Sequence, residues 1–266
     1  MIKYLGTVPF LNSKPLTYLF DNNSFENYKT SEYYPSSLLD PLVSGEVFLS
    51  LLPIADHLSG ESVISLTDYC ISSYGKVDSV LLVSKSKLKD IKTVVLDSRS
   101  KSSNMLFKTL QSHFLNIDVD YEVREPKLNM KMKPDVGYVT IGDLSLEIIS
   151  SNPIGVNTYD LGEIWFNETG FPFTFGTYNY LHSSPNEEEL NLLDDSYQEG
   201  SQHASLIIDD FLVMNGSKIR RKVAEKYLNE RIFYKITNQH IKGINLFRDL
   251  SSKFANWKKN SFNNEV

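Results

Sequence analysis

The residues of this chain that could do chemistry gather in five short stretches: LNSKPL (11–16), CISSYGKVDSV (70–80), DSRSKSSNML (97–106), VTIGDLSL (139–146) and DLGEIWFNETGFPF (160–173). In each, small polar residues or glycines stand at the junction between a strand and the next element. Ligands of open α/β sheets bind outside the carboxyl ends of strands. SKSSN is the most pointed of the five, because a helix starting at Ser102 or Ser103 offers free backbone N–H groups, hydroxyls and a favourable dipole to a carboxylate. Ordinary capping uses the same residues. The pair Asn12-Ser13 reads either as a turn, with both side chains bonding their own backbone, or as the floor of a ligand site. Asp143, after Ile141-Gly142, could serve as an acid or base, or cap the helix LSLEIIS. Thr169-Gly170 is equally a plain turn, and Tyr74, Trp165 and Phe173 either wall a pocket or fill the core.

The familiar catalytic signatures are absent. The sequence has no G-x-S-x-G elbow, H-E-x-x-H pair, P-loop or G-x-G-x-x-G, so acyl transfer, metal-dependent hydrolysis, phosphoryl transfer and dinucleotide-dependent hydride transfer lose their usual support. Histidines 57, 113, 182, 203 and 240 all fall outside the five stretches and read as surface or core residues.

Positioning these stretches requires short strands alternating with helices, the pattern of an α/β fold. Strands are expected at Lys3–Phe10, Val47–Leu52, Ser79–Val83, Thr93–Leu96, Asp118–Val123, Val136–Ile141 and Val156–Asp160. Pro35-Ser36-Ser37 opens a helix that Pro41 bends and Gly45 stops. Leu106, Leu110 and Phe114 repeat at helical spacing after the paired serines. Beyond about residue 186 the chain is helical throughout. No Gly/Ser- or Pro-rich linker occurs, so two lobes would be joined by strands, with crossings in SVLLVSKSKL before Lys89 and in GFPFTFGTYNY (170–180). That predicts a discontinuous first lobe (1–86 plus 177–266) around an inserted second lobe (87–176).

Composition narrows the partners. At 266 residues, with 41% hydrophobic content, the chain can bury a substantial core. A net charge of −6 argues against nucleic acid and against an anionic membrane surface. The single Cys70 excludes an internal disulfide and multi-cysteine metal clusters, and no apolar run is long enough to span a bilayer. The start MIKYLG has no basic region followed by an apolar one, which predicts a cytoplasmic protein. The polar tail from about Lys258 to Val266 is the one candidate for disorder. Residues alone thus point to a two-lobed α/β protein that binds a small anion. They leave the reaction open.

The same five stretches resemble, in order and spacing, the motifs of the chorismate dehydratases of the futalosine route to menaquinone, commonly called MqnA. LNSKPL is similar to the family's L-N-[ST]-x-P-L, and SYGKVDSVLL to S-x-G-x-V-x-S-V-x-L. DSRSKSSNML resembles D-x-x-S-x-T-S-x-x-L, IGDLSL resembles I-G-D-x-A-L, and DLGEIWFNETGFPFTF resembles D-L-G-x-x-W-x-x-x-T-G-L-P-F-x-F. The closing YLNERIFYKITNQHIKGINLF is similar to the family's last segment. The sister family MqnD is less similar at the first strand.

The resemblance implies a two-lobed type II periplasmic-binding-protein-like fold with the ligand cleft between the lobes. It implies elimination of water from chorismate to give 3-[(1-carboxyvinyl)oxy]benzoate, with no metal, nicotinamide or flavin. Carried over residue by residue, Asn12 would contact the reacting part of the substrate. Ser73, Ser102 and Ser103 would hold carboxylates, and Ser13, Gly75, Gly142, Thr169 and Gly170 would complete the binding site. The base is open between the substrate's own enolpyruvyl carboxylate and a protein group, Asp143 or Glu168. The sequence departs from the family at Ser102 (usually Thr), at Tyr178 (near the usual Trp) and at Phe48 (usually Asp). A non-catalytic anion-binding protein of the same fold, or another lyase of the pathway, is the alternative.

Overall fold

A computed structural model describes residues 2–59, 64–127, 131–181, 185–255 and 257; His182 and the tail from Lys258 lie outside them. Eleven strands among these residues form two sheets, and each sheet is built to the same plan. The first contains β1 (Lys3–Thr7), β2 (Tyr28–Glu32), β3 (Leu49–Pro53) and β4 (Ile64–Ser73). The second contains β5 (Val80–Ser84), β6 (Thr93–Asp97), β7 (Asp120–Arg124), β8 (Val136–Ile141) and β9 (Asn157–Asp160), after which β10 (Phe173–Leu181) and β11 (Phe233–Lys235) return to the first. Their orders are β11-β4-β10-β3-β1-β2 and β7-β6-β8-β5-β9.

In both sheets three strands run parallel, and the strand arriving from the other sheet inserts antiparallel beside them. β10 pairs antiparallel with β3 and β4, and β5 does the same with β8 and β9. The two inserted strands are therefore the structural joints of the molecule. The chain passes from one sheet to the other between Ser73 and Val80, before the lobe boundary expected at 86, and returns between Asp160 and Phe173, a stretch that runs into the expected crossing segment 170–180. VLLVS is a strand, as expected, but it lies inside the second sheet: all five of its residues are buried, as a strand flanked on both sides and covered on both faces must be.

Helices follow the strands as expected in type, with boundaries set by local chemistry. The segment opening at Pro35 is a single 3-10 turn followed by α2 (Leu39–Val43), and Gly45 ends it in the left-handed region. α1 (Lys14–Asp21) carries Pro15 in its first turn, where a missing N–H costs nothing, and buries Leu16 and Phe20 on one face. α3 (Ile54–Ser59) and α4 (Ser102–Leu110) lie on either side of the cleft between the sheets. α5 (Asp143–Ser151) and α6 (Leu161–Thr169) belong to the second lobe. The last third is helical, in α7 (Glu187–Gln202), α8 (Ala204–Met214), α9 (Arg221–Lys226) and α10 (Asn238–Ser251), apart from the short edge strand β11. α7 packs on α1 with almost no gap: a Cβ on Gly200 would collide with the Pro15 carbonyl oxygen. That contact fixes α1, and hence the turn in front of it, against the C-terminal helices.

The sequence's two apolar departures are core residues. Phe48 packs edge-on against Tyr28 at 5.6 Å, and the fully buried Tyr178 donates to the Thr7 hydroxyl at 3.2 Å. No helix among the described residues is long and apolar enough to cross a membrane.

Candidate active site

The pair that ends the first strand divides its labour. The buried Ser13 hydroxyl lies 2.7 Å from the Val8 carbonyl oxygen and 2.9 Å from that of Phe10, closing the 3-10 turn Leu11–Ser13. Asn12 points the other way. It lines a cavity between the two sheets, open to solvent on one side. The first lobe contributes Val8, Phe10, Leu51, Ile71 and Phe175 to the wall, and the second contributes Val80, Ile141, Gly142, Ser100, Ser102 and Ser103.

None of the lining residues carries an ionisable side chain. Polarity comes from one amide, Asn12, and from the hydroxyls of Ser79, Ser100, Ser102 and Ser103. The nearest cations of the α4 loop are already neutralised. Arg99 bonds the fully buried Asp97 at 2.7 and 2.9 Å and stacks on Tyr34, while Lys101 pairs with Asp56 at 2.7 Å. An anion in this cavity would meet neutral donors and the N-terminal end of α4, an arrangement that suits a carboxylate through hydrogen bonds and the helix dipole.

The start of α4 is tied down from within and from across the cleft. Ser100 Oγ accepts from the Ser103 N–H at 3.2 Å, a capping bond. Ser102 Oγ accepts from the Ala55 N–H of α3, also at 3.2 Å, so this hydroxyl joins the lobes. The lobes are also joined by the Lys101–Asp56 pair, by Ser36 N–H to the Arg99 carbonyl at 3.0 Å, and by Leu11 N–H to Asp143 Oδ1 at 3.2 Å. These bonds hold the lobes in contact.

Asp143 neither lines the cavity nor caps its own helix. Gly142 occupies the cap position, with φ +60°, and Asp143 is the first helical residue, reaching across to Leu11. A Cβ on Gly142 would sit 2.8 Å from the Phe10 ring, so only glycine lets the β8–α5 turn close on the first lobe. Burial pushes the Asp143 carboxyl up to about 7.

The remaining expected site residues serve the connection between lobes. Ser73 donates to the Gly75 carbonyl at 3.0 Å inside the turn that leaves β4, and Gly75 has φ +89°. Thr169 donates to the Trp165 carbonyl, and Gly170 ends α6 in the left-handed region. Glu168 is exposed on α6. Asp160, absent from the expected set, caps α6 through the Glu163 N–H and also accepts from the N–H groups of Val77 and Asp78. Burial raises its carboxyl to about 6. Tyr227 was likewise unforeseen: its hydroxyl lies 3.0 Å from Asn12 Nδ2 and 2.9 Å from Ser79 Oγ. Asp160 announces itself as the DLGE capping pattern; nothing local announces Tyr227. The described histidines all lie outside the cavity wall, and the buried Cys70 thiol is pushed up to about 12, which makes it inert at neutral pH.

Similar proteins fall in two groups. Among solved structures, a protein of Archaeoglobus fulgidus superposes with a TM-score of 0.73 at 12% identity, covering 94% of this chain and 97% of that one. The alkanesulfonate-binding protein SsuA of Xanthomonas axonopodis does so at 0.69 and 14%, over 93% and 91%. A Candida albicans protein described as having the generic periplasmic-binding-protein fold gives 0.61 at 12%, over 97% and 92%. These likenesses establish the two-lobed periplasmic-binding-protein fold that the sequence led us to expect. Among sequences, the chorismate dehydratase of Thermus thermophilus is 28% identical over 201 residues, 70% of this chain and 72% of that protein. A family model described as menaquinone biosynthesis matches residues 4–253, so the chain belongs to the menaquinone-biosynthesis family.

Proposed function

We propose that this protein is a chorismate dehydratase, converting chorismate to 3-[(1-carboxyvinyl)oxy]benzoate with loss of one water. The observation that carries the reading is a cavity between two hydrogen-bonded lobes, lined by an amide and serine hydroxyls at the start of a helix, in a chain of the menaquinone-biosynthesis family. In the reaction the C3–H bond breaks, its electron pair becomes the C3=C4 double bond, and the C4–O bond breaks with its pair staying on oxygen. The proton and hydroxide leave as water, and the ring becomes aromatic. Because aromatisation drives the step, the protein's task is to hold one geometry and exclude the competing losses.

The lining supplies no side chain that titrates near neutral pH. The reading therefore takes the substrate's enolpyruvyl carboxylate as the base that collects the C3 proton, with Asn12 and the serines orienting it. Asp143, away from the cavity wall and engaged with Leu11, acts on closure instead. We take the segments up to 73 and from 173 as the first lobe and 80–169 as the second, joined at 74–79 and 170–172. The reading carries with it a cytoplasmic location, with chorismate as the small-molecule partner.

Mixing purified protein with chorismate and following the ultraviolet spectrum and product mass tests this. The expected product is lighter than chorismate by one water, formed at the same rate with and without a metal chelator. Prephenate, 4-hydroxybenzoate or binding without turnover would overturn it.

A further inference from the structure

We infer that Tyr227 is a positioning residue that fixes which edge of the Asn12 amide faces the substrate, an inference that rests on the dehydratase reading. Tyr227 is 1% exposed and begins a widened helical turn, Tyr227–Arg231, that follows α9. Turns of this kind displace a side chain from the regular helical track. Here the displaced hydroxyl lies between two cavity residues: Asn12 Nδ2 on one side at 3.0 Å and Ser79 Oγ on the other at 2.9 Å. The same turn is anchored a second time to the connection between lobes, where Arg231 Nε donates to Asp78 Oδ2 at 2.8 Å. Residues from the first lobe, the connection and the C-terminal helices thus meet at one oxygen.

A phenol has a single proton. With that proton given to Ser79, the Tyr227 oxygen can only accept from Asn12, which holds Nδ2 toward Tyr227. The amide then has one defined orientation, with Oδ1 and the second Nδ2 hydrogen left for a ligand. Oδ1 is buried and has no partner in the protein. Burial raises the Tyr227 hydroxyl far above its ordinary range, so it stays a neutral donor and acceptor through the working pH. Without the phenol, the amide is free to turn over and to misplace both groups.

The test is Tyr227→Phe, assayed with chorismate alongside Asn12→Ala and the double variant. The expected result is kcat down roughly 10- to 100-fold, the size of effect that loss of fixed geometry produces, with KM within about threefold. In the Asn12→Ala background, Tyr227→Phe should change kcat by less than about twofold, because there is no amide left to orient. Wild-type kcat in Tyr227→Phe, or an equal loss in both backgrounds, would overturn the inference while leaving the dehydratase reading intact. Failure of the unaltered protein to dehydrate chorismate would overturn both. Should Tyr227→Phe not fold, Tyr227→Met, which also lacks the hydroxyl and stays apolar, is read by the same cycle and should lower kcat only where Asn12 is present.

Discussion

The backbone N–H of Ala55 in the first lobe donates to the Ser102 hydroxyl in the second at 3.2 Å. The hydroxyl expected to hold a substrate carboxylate is therefore also a clasp between the lobes. One residue away, Lys101 pairs with Asp56, whose side chain is 4% exposed and whose second oxygen has no partner. The cavity wall and the contact between the lobes meet at the first turn of α4.

Lys101→Met should loosen this clasp. Burial already raises the Asp56 carboxyl, and Lys101 opposes that rise; without the lysine the carboxyl rises further. A carboxyl with a raised folded pKa stabilises most when protonated and loses that contribution as pH climbs through the folded value. The variant's melting deficit should accordingly be larger at pH 8 than at pH 5. Small-angle scattering of the ligand-free variant should show a larger radius of gyration than wild type. An unchanged radius together with an unchanged melting point would show that the pair does not hold the cleft.

Asp143 gives a second pH test. Its folded value near 7 lies above the ordinary carboxylate range, so ionisation of this group costs stability between about pH 4 and pH 7. Asp143→Asn keeps an oxygen for the Leu11 N–H and removes the charge. Relative to wild type, the variant should gain in melting temperature as pH rises from 5 to 8, and it should retain chorismate turnover. A pH-independent difference would contradict the burial argument, and loss of turnover with the fold intact would return Asp143 to the role of base.

At Gly142 the prediction is steric. Alanine there must adopt φ +60° and press a methyl into the Phe10 ring. Strain of this kind costs about 1–3 kcal/mol, a fall in melting temperature of roughly 5 °C for a domain of this size, and it acts on the closed form. Thermal melts with and without a non-reacting dicarboxylate check it. The gap between variant and wild type should widen when ligand is present, and a variant that melts like wild type in both conditions would contradict the close contact.

Much of the frame was legible because its signals are local. VGYVTI is strand over the whole of Val136–Ile141, and the paired serines do open α4. The polar edge strand YKTSE was missed because its residues lie half-exposed or exposed, so no alternation survives in it. β4 was missed because TDYCISS reads as a polar, functional stretch, although it is the long strand between β10 and β11. At the site, residue type could mark Asn12 and the α4 serines but could not divide Asn12 from Ser13. That division depends on which way a one-turn 3-10 helix points its side chains. The meeting of Asn12 with Tyr227, 215 residues apart in the chain, arises only from the packing of the C-terminal helices.

The measurement that bears most directly on the site is the rate of chorismate dehydration by Asn12→Asp beside wild type, with melting temperatures taken on the same samples. Aspartate supports the same turn as asparagine, so the fold should melt within a few degrees of wild type. It removes both amide hydrogens and sets a negative charge beside an anionic substrate in a cavity without a compensating cation. Loss of such a donor lowers kcat by about 100- to 1000-fold, and that is the predicted result. Wild-type turnover by Asn12→Asp would show that the cavity around Asn12 is not where the water is lost.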